Sequence, residues 1–117
     1  MDTLALDFAG IVESSDNTEW SGMPEGTIIG HLHLKGGVAI DSDFYGNYGF
    51  EIVTKVMSAC FLGSNKYHHH IAVNKWHSNK ERIDATNTYG LKSFNISVPD
   101  AASETVETPE GIKMIVN

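Results

Sequence analysis

The stretch Lys66–Trp76, KYHHHIAVNKW, decides the reading of the fold. Its apolar residues alternate as they do along a strand, with Ile71 and Val73 on one side and Ala72 and Asn74 on the other. By the same parity His69 joins Ile71 and Val73, while His68 and His70 join Ala72 and Asn74. An earlier stretch, Thr27–Lys35 (TIIGHLHLK), repeats the arrangement. Leu32 and Leu34 face an apolar layer, and His31 and His33 look the other way. If the two strands are neighbours, two to four imidazoles converge on one cavity.

The remaining segments read as further strands and little helix. Phe50, Ile52 and Thr54 alternate along Gly49–Val56, and MSACFL (Met57–Leu62) is expected to continue the sheet through a bend. Gly63, Ser64 and Asn65 make a turn. Phe94, Ile96 and Val98 mark a strand over Gly90–Val98, closed by Pro99. Met114–Val116 is expected to close the sheet. The acidic stretch Ala101–Glu110 reads as loop, and Met1 to about Thr27 as an irregular leader that Trp20 anchors to the domain or to a partner chain. A short helix between Val38 and Tyr48 is expected, with Asp41 and Asp43 as capping candidates. The highly charged His77–Ala85 reads as an excursion. The pattern predicts five or six strands and one weak helix, a mostly-β α+β domain.

Composition narrows the function classes. The chain has 117 residues, enough for one small domain, with fifteen acidic and eight basic side chains and a net charge of −7. That balance argues against a nucleic-acid or anionic-membrane surface. No apolar run approaches the roughly 20 residues that span a bilayer. The N-terminus lacks a basic leader, and Cys60, the single cysteine, reads as a core thiol. Both features lead to the expectation of a cytoplasmic protein. Gly36-Gly37 lacks phosphate-loop spacing, and no serine or cysteine triad is visible. Tyr45, Tyr48, Tyr67 and Tyr89 are pocket candidates that position alone does not rank.

The six histidines carry the chemistry. Imidazole is a common ligand for iron, manganese, zinc and nickel, and a His-x-His pair on each of two strands suits one divalent metal. The same residues also fit half-buried histidines bonded to backbone carbonyls, or lining a cavity without metal. Glu104, Glu107 and Glu110, the glutamates that follow the last strand start, fall in expected loop.

Four runs carry a family resemblance: WSGMPEGTIIGHLHLKGG, DFYGNYGFEIVTKV, FLGSNKYHHHIAVNKWHS and GLKSFNISVPD. Together with TPEGIKMIVN they resemble the second domain of bacterial ring-cleavage dioxygenases. These are extradiol enzymes of the vicinal oxygen chelate superfamily, which also holds glyoxalase and bleomycin-resistance proteins. The resemblance implies paired βαβββ modules, an N-terminal arm over residues 1–27, a first module over 28–85 and a shortened second module over 86–117. It also implies metal-dependent ring cleavage of a small aromatic diol, with a facial triad of two histidines and a glutamate.

The first triad histidine matches His31. Ser93 and Ile115 stand where the second histidine and the glutamate are expected. His70 matches a position that supplies a metal glutamate in lactoylglutathione lyases. The resulting metal set is His31, His70 and His33, with His68, Asn74 and Ser93 as pocket residues. Only AASETVE separates Asp100 from Thr108 where relatives carry a helix and further strands. The shortened module implies a homodimer that covers the exposed sheet. With two triad positions changed, the resemblance leads to a divergent dioxygenase-like protein; the alternative is a non-catalytic module of the same fold that binds a small aromatic ligand or a metal.

Overall fold

The computed structural model describes residues 4–36, 42–76 and 89–117. Among these residues the chain forms seven strands and two short helices: α1 (Phe8–Glu13), β1 (Leu32–Lys35), α2 (Ser42–Gly46), β2 (Glu51–Val56), β3 (Ala59–Gly63), β4 (Ile71–Asn74), β5 (Ser93–Ile96), β6 (Glu104–Glu107) and β7 (Lys113–Val116). The expected excursion at His77–Ala85 and the capping candidate Asp41 lie outside the described residues.

The two segments that decide the fold are neighbours. β1 runs parallel to β4, with Leu32 opposite Ile71, His33 opposite Ala72 and Leu34 opposite Val73. β3 pairs antiparallel with both β4 and β2, giving the order β1-β4-β3-β2. The parallel closure of β1 on β4 requires a crossover, which α2 and the β2–β3 hairpin supply. This is the expected βαβββ module. The second sheet, β5-β7-β6, repeats the pattern on a smaller scale: β5 is parallel to β7, and β6 is antiparallel to it. The positions equivalent to β1, β3 and β4 are thus filled, whereas no helix and no strand equivalent to β2 lies between β5 and β6. The second module is shortened, as the sequence led one to expect.

Alternation sorts the side chains of the first sheet onto two faces. Leu34, Cys60, Leu62, Ile71 and Val73 point to one side, where Tyr45 of α2 and Phe94, Met114 and Val116 of the second sheet complete a single buried cluster. Tyr45 ties the two sheets together, since its hydroxyl donates to the Glu110 carboxylate in the β6–β7 turn. Cys60 is a core thiol as expected, and burial holds it above its usual titration range. On the other face Ala59, Phe61 and Ala72 form a smaller buried cluster, and this face carries the histidines.

Several local expectations are corrected. MSACFL does continue the sheet, as a separate strand: Met57 and Ser58 form a tight turn, and β3 folds back antiparallel on β2. Thr27–Gly30 is not strand, because no strand among the described residues pairs with it, and Ile28 and Ile29 remain exposed. Part of the leader is helical: Asp7 caps α1 by accepting the Gly10 amide at 2.9 Å, although α1 buries none of its residues. The acidic stretch contains β6, whose Val106 is its one half-buried residue. Glu104 and Glu107 therefore lie on a strand, not in loop. Trp20 is 72% exposed and does not anchor the leader to the rest of the described chain.

Candidate metal centre

The histidine face begins with a tight turn. Asn65 and Lys66 both adopt left-handed backbone conformations, with φ of 52° and 62°. Asn tolerates this region; Lys does not favour it, so two such residues in succession mark a turn held in place by its surroundings. The turn is closed by the Tyr67 amide donating to the Ser64 carbonyl at 3.0 Å. Gly63 is required just before it: a Cβ there would lie 2.5 Å from the Tyr67 carbonyl oxygen and 2.9 Å from a Val53 methyl. The chain then runs through Tyr67, His68 and His69 without strand pairing and enters β4 at Ile71.

Because residues 68–70 are not extended strand, their side chains do not follow strand parity. His69 is buried against Phe61, with ring centroids 5.2 Å apart, on the face of Ala72 and not on that of Ile71. Around it stand His31 at 4.3 Å, His68 at 4.5 Å and His33 at 5.2 Å between ring centroids. His31 and His33 are neighbours at 5.1 Å, as their shared strand side predicts. The wall is completed by Phe61 and Trp76, both edge-on or tilted to His33. The Trp76 indole is held by its N–H donating to Ser58 Oγ at 3.1 Å.

Two hydrogen bonds connect the rings. His69 Nε2 and His33 Nε2 are 3.1 Å apart, and His69 Nδ1 and His68 Nδ1 are 2.8 Å apart. Burial, together with the neighbouring His31, His68 and His33, pushes His69 down to about 4, so its ring is neutral at pH 7. A neutral ring has one N–H and one lone pair, so His69 donates one of these bonds and accepts the other. His33 is also lowered, by burial and by His31. Neutral imidazole is the form that ligates metal.

His31, His68 and His69 each present a ring nitrogen, and these three atoms lie within 4.8 Å of one another. Nitrogens on one zinc-like ion, each at about 2.0–2.1 Å, end up roughly 3–4 Å apart. The observed limit is wider than that, so the rings would turn toward a bound ion; the all-nitrogen donor set suits a divalent metal such as zinc. His33 sits behind His69: if His69 Nε2–H donates to His33, His69 Nδ1 turns its lone pair toward His68 Nδ1, which is the orientation a shared ion needs. The set contains no carboxylate among the described residues.

The expected site residues divide between two places. His31, His33 and His68 converge. His69 joins them, and sequence parity had assigned it to the opposite face; the only available signal was three consecutive histidines preceding a strand. His70 stands apart: its Nδ1 accepts the Ser64 amide at 3.2 Å, and its ring stacks on Tyr67 at 4.5 Å and faces Phe50 at 6.0 Å. Asn74 sits at the far end of β4, where its Oδ1 accepts the Trp76 amide at 3.2 Å. Ser93 begins β5 and Ile115 lies on β7, both half-buried in the second sheet. Glu104 accepts from the Tyr48 hydroxyl at 3.3 Å, and Glu110 holds Tyr45.

No family model and no solved structure matches the chain. Among curated proteins it is 35% identical over 106 residues to a catechol-2,3-dioxygenase of Bacillus subtilis (strain 168). The match spans 85% of this chain and 36% of that protein, so the chain spans about a third of the length of the relative it matches. A βαβββ sheet with β1 parallel to β4, a smaller second sheet that repeats part of this pattern, histidines converging at the start of β1 and β4, and this identity lead to one assignment: the chain belongs to the vicinal oxygen chelate superfamily, as a relative of catechol-2,3-dioxygenase.

Proposed function

We propose that the chain is a divergent, metal-dependent, dioxygenase-like protein that acts on a small aromatic diol, with His31, His68 and His69 as the metal-binding set. The observation that carries this reading is the convergence of three imidazole nitrogens within 4.8 Å on the sheet face away from the core. Their chemistry suits iron, manganese, zinc or nickel. Bound there, such an ion would supply Lewis acidity and, as iron, redox access to dioxygen. The chain's own residues contribute placement. Phe61 and Trp76 wall the site with aromatic surface, His33 orients His69, and the exposed side of His31 and His68 leaves the approach to the metal open.

Three neutral imidazoles leave an ion with its full positive charge, unlike a set of two histidines and one carboxylate. That difference supports a second reading, in which the module holds a metal or a small aromatic molecule without turnover. Oxygen uptake distinguishes the two. After anaerobic loading with iron(II), catechol-dependent oxygen consumption that disappears in His69→Ala supports the enzyme. A loaded protein that binds catechol and consumes no oxygen is the binding module.

The reading extends to organisation. Residues 1–27 form an arm, 28–85 the first module and 86–117 the shortened second module. The exposed Ile52, Val53, Val56 and Met57 along β2 and its turn support burial against a second copy, giving a homodimer. No helix among the described residues is long and apolar enough to cross a membrane. With a lone buried cysteine, a cytoplasmic location is proposed. Gel filtration with light scattering checks the dimer: a mass near 12.8 kDa would refute it.

A further inference from the structure

A cavity of about 280 Å³ lies between the first sheet and β5, beyond the histidine cluster. Phe50, Phe94, Leu32 and Ile71 supply apolar wall, and His70 is its polar feature on the first sheet side together with Ser64. Of the five histidines on the two strands, only His31 and His70 line this space, and His31 stands at the boundary between it and the cluster.

The chemistry of His70 is fixed by its backbone partner. The Ser64 amide N–H can only donate, so His70 Nδ1 must accept and the proton of the neutral ring sits on Nε2. Among the described residues Nε2–H has no hydrogen-bond partner. His70 is therefore a donor held in one tautomer, with its ring fixed between Tyr67 and Phe50. It is matched by an oxygen acceptor on the ligand. The Phe50 and Phe94 rings favour a flat apolar body. An apolar cavity of about 150 Å³ accepts benzene and drug-sized sites begin near 300 Å³, so 280 Å³ suits one ring with a small substituent. No Lys or Arg among the described residues lines the cavity and the chain carries a net charge of −7, which disfavours an anion.

We infer that this cavity is a second, metal-independent binding site for an uncharged one-ring aromatic carbonyl compound, with His70 Nε2–H donating to the carbonyl oxygen. Of the three proposed metal ligands only His31 reaches the cavity, and the donor His70 is not one of them, so the site is defined on metal-free protein.

The test uses the whole chain treated with chelator, with acetophenone as probe and ethylbenzene as the same shape without the acceptor. Calorimetry or ligand-observed NMR should give an acetophenone Kd on the order of 0.1 mM. Ethylbenzene should bind about 3- to 10-fold more weakly, as expected for one neutral hydrogen bond. In His70→Phe that ratio should fall to about one. Ser97→Trp, at the exposed rim, should block both probes while leaving the thermal melt unchanged. Equal affinity for the two probes, a ratio unchanged in His70→Phe, or binding unaffected by Ser97→Trp would overturn the assignment. Acetophenone binding that appears only after metal is added would also overturn it, by moving the ligand to the histidine cluster. Metal binding can fail in the separate titration without altering any of these outcomes.

Discussion

Acid should destabilise the metal-free protein in a window set by His69. In the unfolded chain this imidazole titrates at its ordinary value of 6.5, and in the folded protein at about 4. Between those values the unfolded state binds more protons than the folded one, so folding stability rises with pH. The contribution is fully present above about pH 6.5, is lost progressively as pH falls and levels off below about 4. An unscreened shift of this size corresponds to about 3 kcal/mol. His69 itself is buried, but His31 and His68 beside it are exposed, so solvent reaches the cluster and screens it. The expected loss is therefore on the order of 1–2 kcal/mol. His33, lowered by burial and by His31, adds to the same slope in the same direction. Urea unfolding of chelator-treated protein at pH values from 4 to 7.5 measures this directly. The His69→Phe variant keeps an aromatic ring against Phe61 and removes the titrating group, so its stability should fall less over the same range. Parallel curves for wild type and variant would refute the assignment of a neutral, buried His69.

The turn that delivers the cluster should be sensitive to one methyl group. Gly63→Ala places a Cβ against the Tyr67 carbonyl oxygen, which is backbone and cannot rotate away. It should cost about 1–3 kcal/mol in urea unfolding and weaken metal binding together with stability. Leu62→Ala, at a fully buried position of the main core on the opposite sheet face, should cost about 2–5 kcal/mol. Its metal affinity, measured where the variant remains folded, should be unchanged. His33→Phe removes the ring nitrogen facing His69 Nε2 while leaving the three ligands; it should weaken metal affinity about 10- to 100-fold by competition titration.

The sequence made the regular parts of the first sheet legible. Leu34, Ile71 and Val73 reach the core that their parity requires, because β1 and β4 are paired strands in which each step reverses the side chain. The same rule misplaced His69, since the Asn65–Lys66 turn leads into an unpaired segment where alternation has no physical basis. β6 was hidden because Glu104 and Glu107 are exposed and only Val106 is half-buried, which leaves no apolar alternation to read. α1 was hidden for a related reason: it buries nothing, so its sequence carries no stripe facing a core. The β2–β3 hairpin turns at Met57-Ser58, which lacks the Asn-Gly or Asp-Gly signal of a tight hairpin. The capacity of the histidines to hold a metal was visible in their number and spacing. Which of them converge depended on the loop, and therefore on tertiary structure.

The central claim is that His31, His68 and His69 form one metal site. The most direct measurement is a divalent-metal titration of untagged protein purified without a nickel column, with bound metal determined per chain. A site built from these three side chains predicts about one ion per chain for wild type and none in His31→Ala or His69→Ala, with both variants still folded by circular dichroism. Absence of binding by iron, manganese, zinc and nickel in wild type would contradict it, as would one ion per chain retained in both variants.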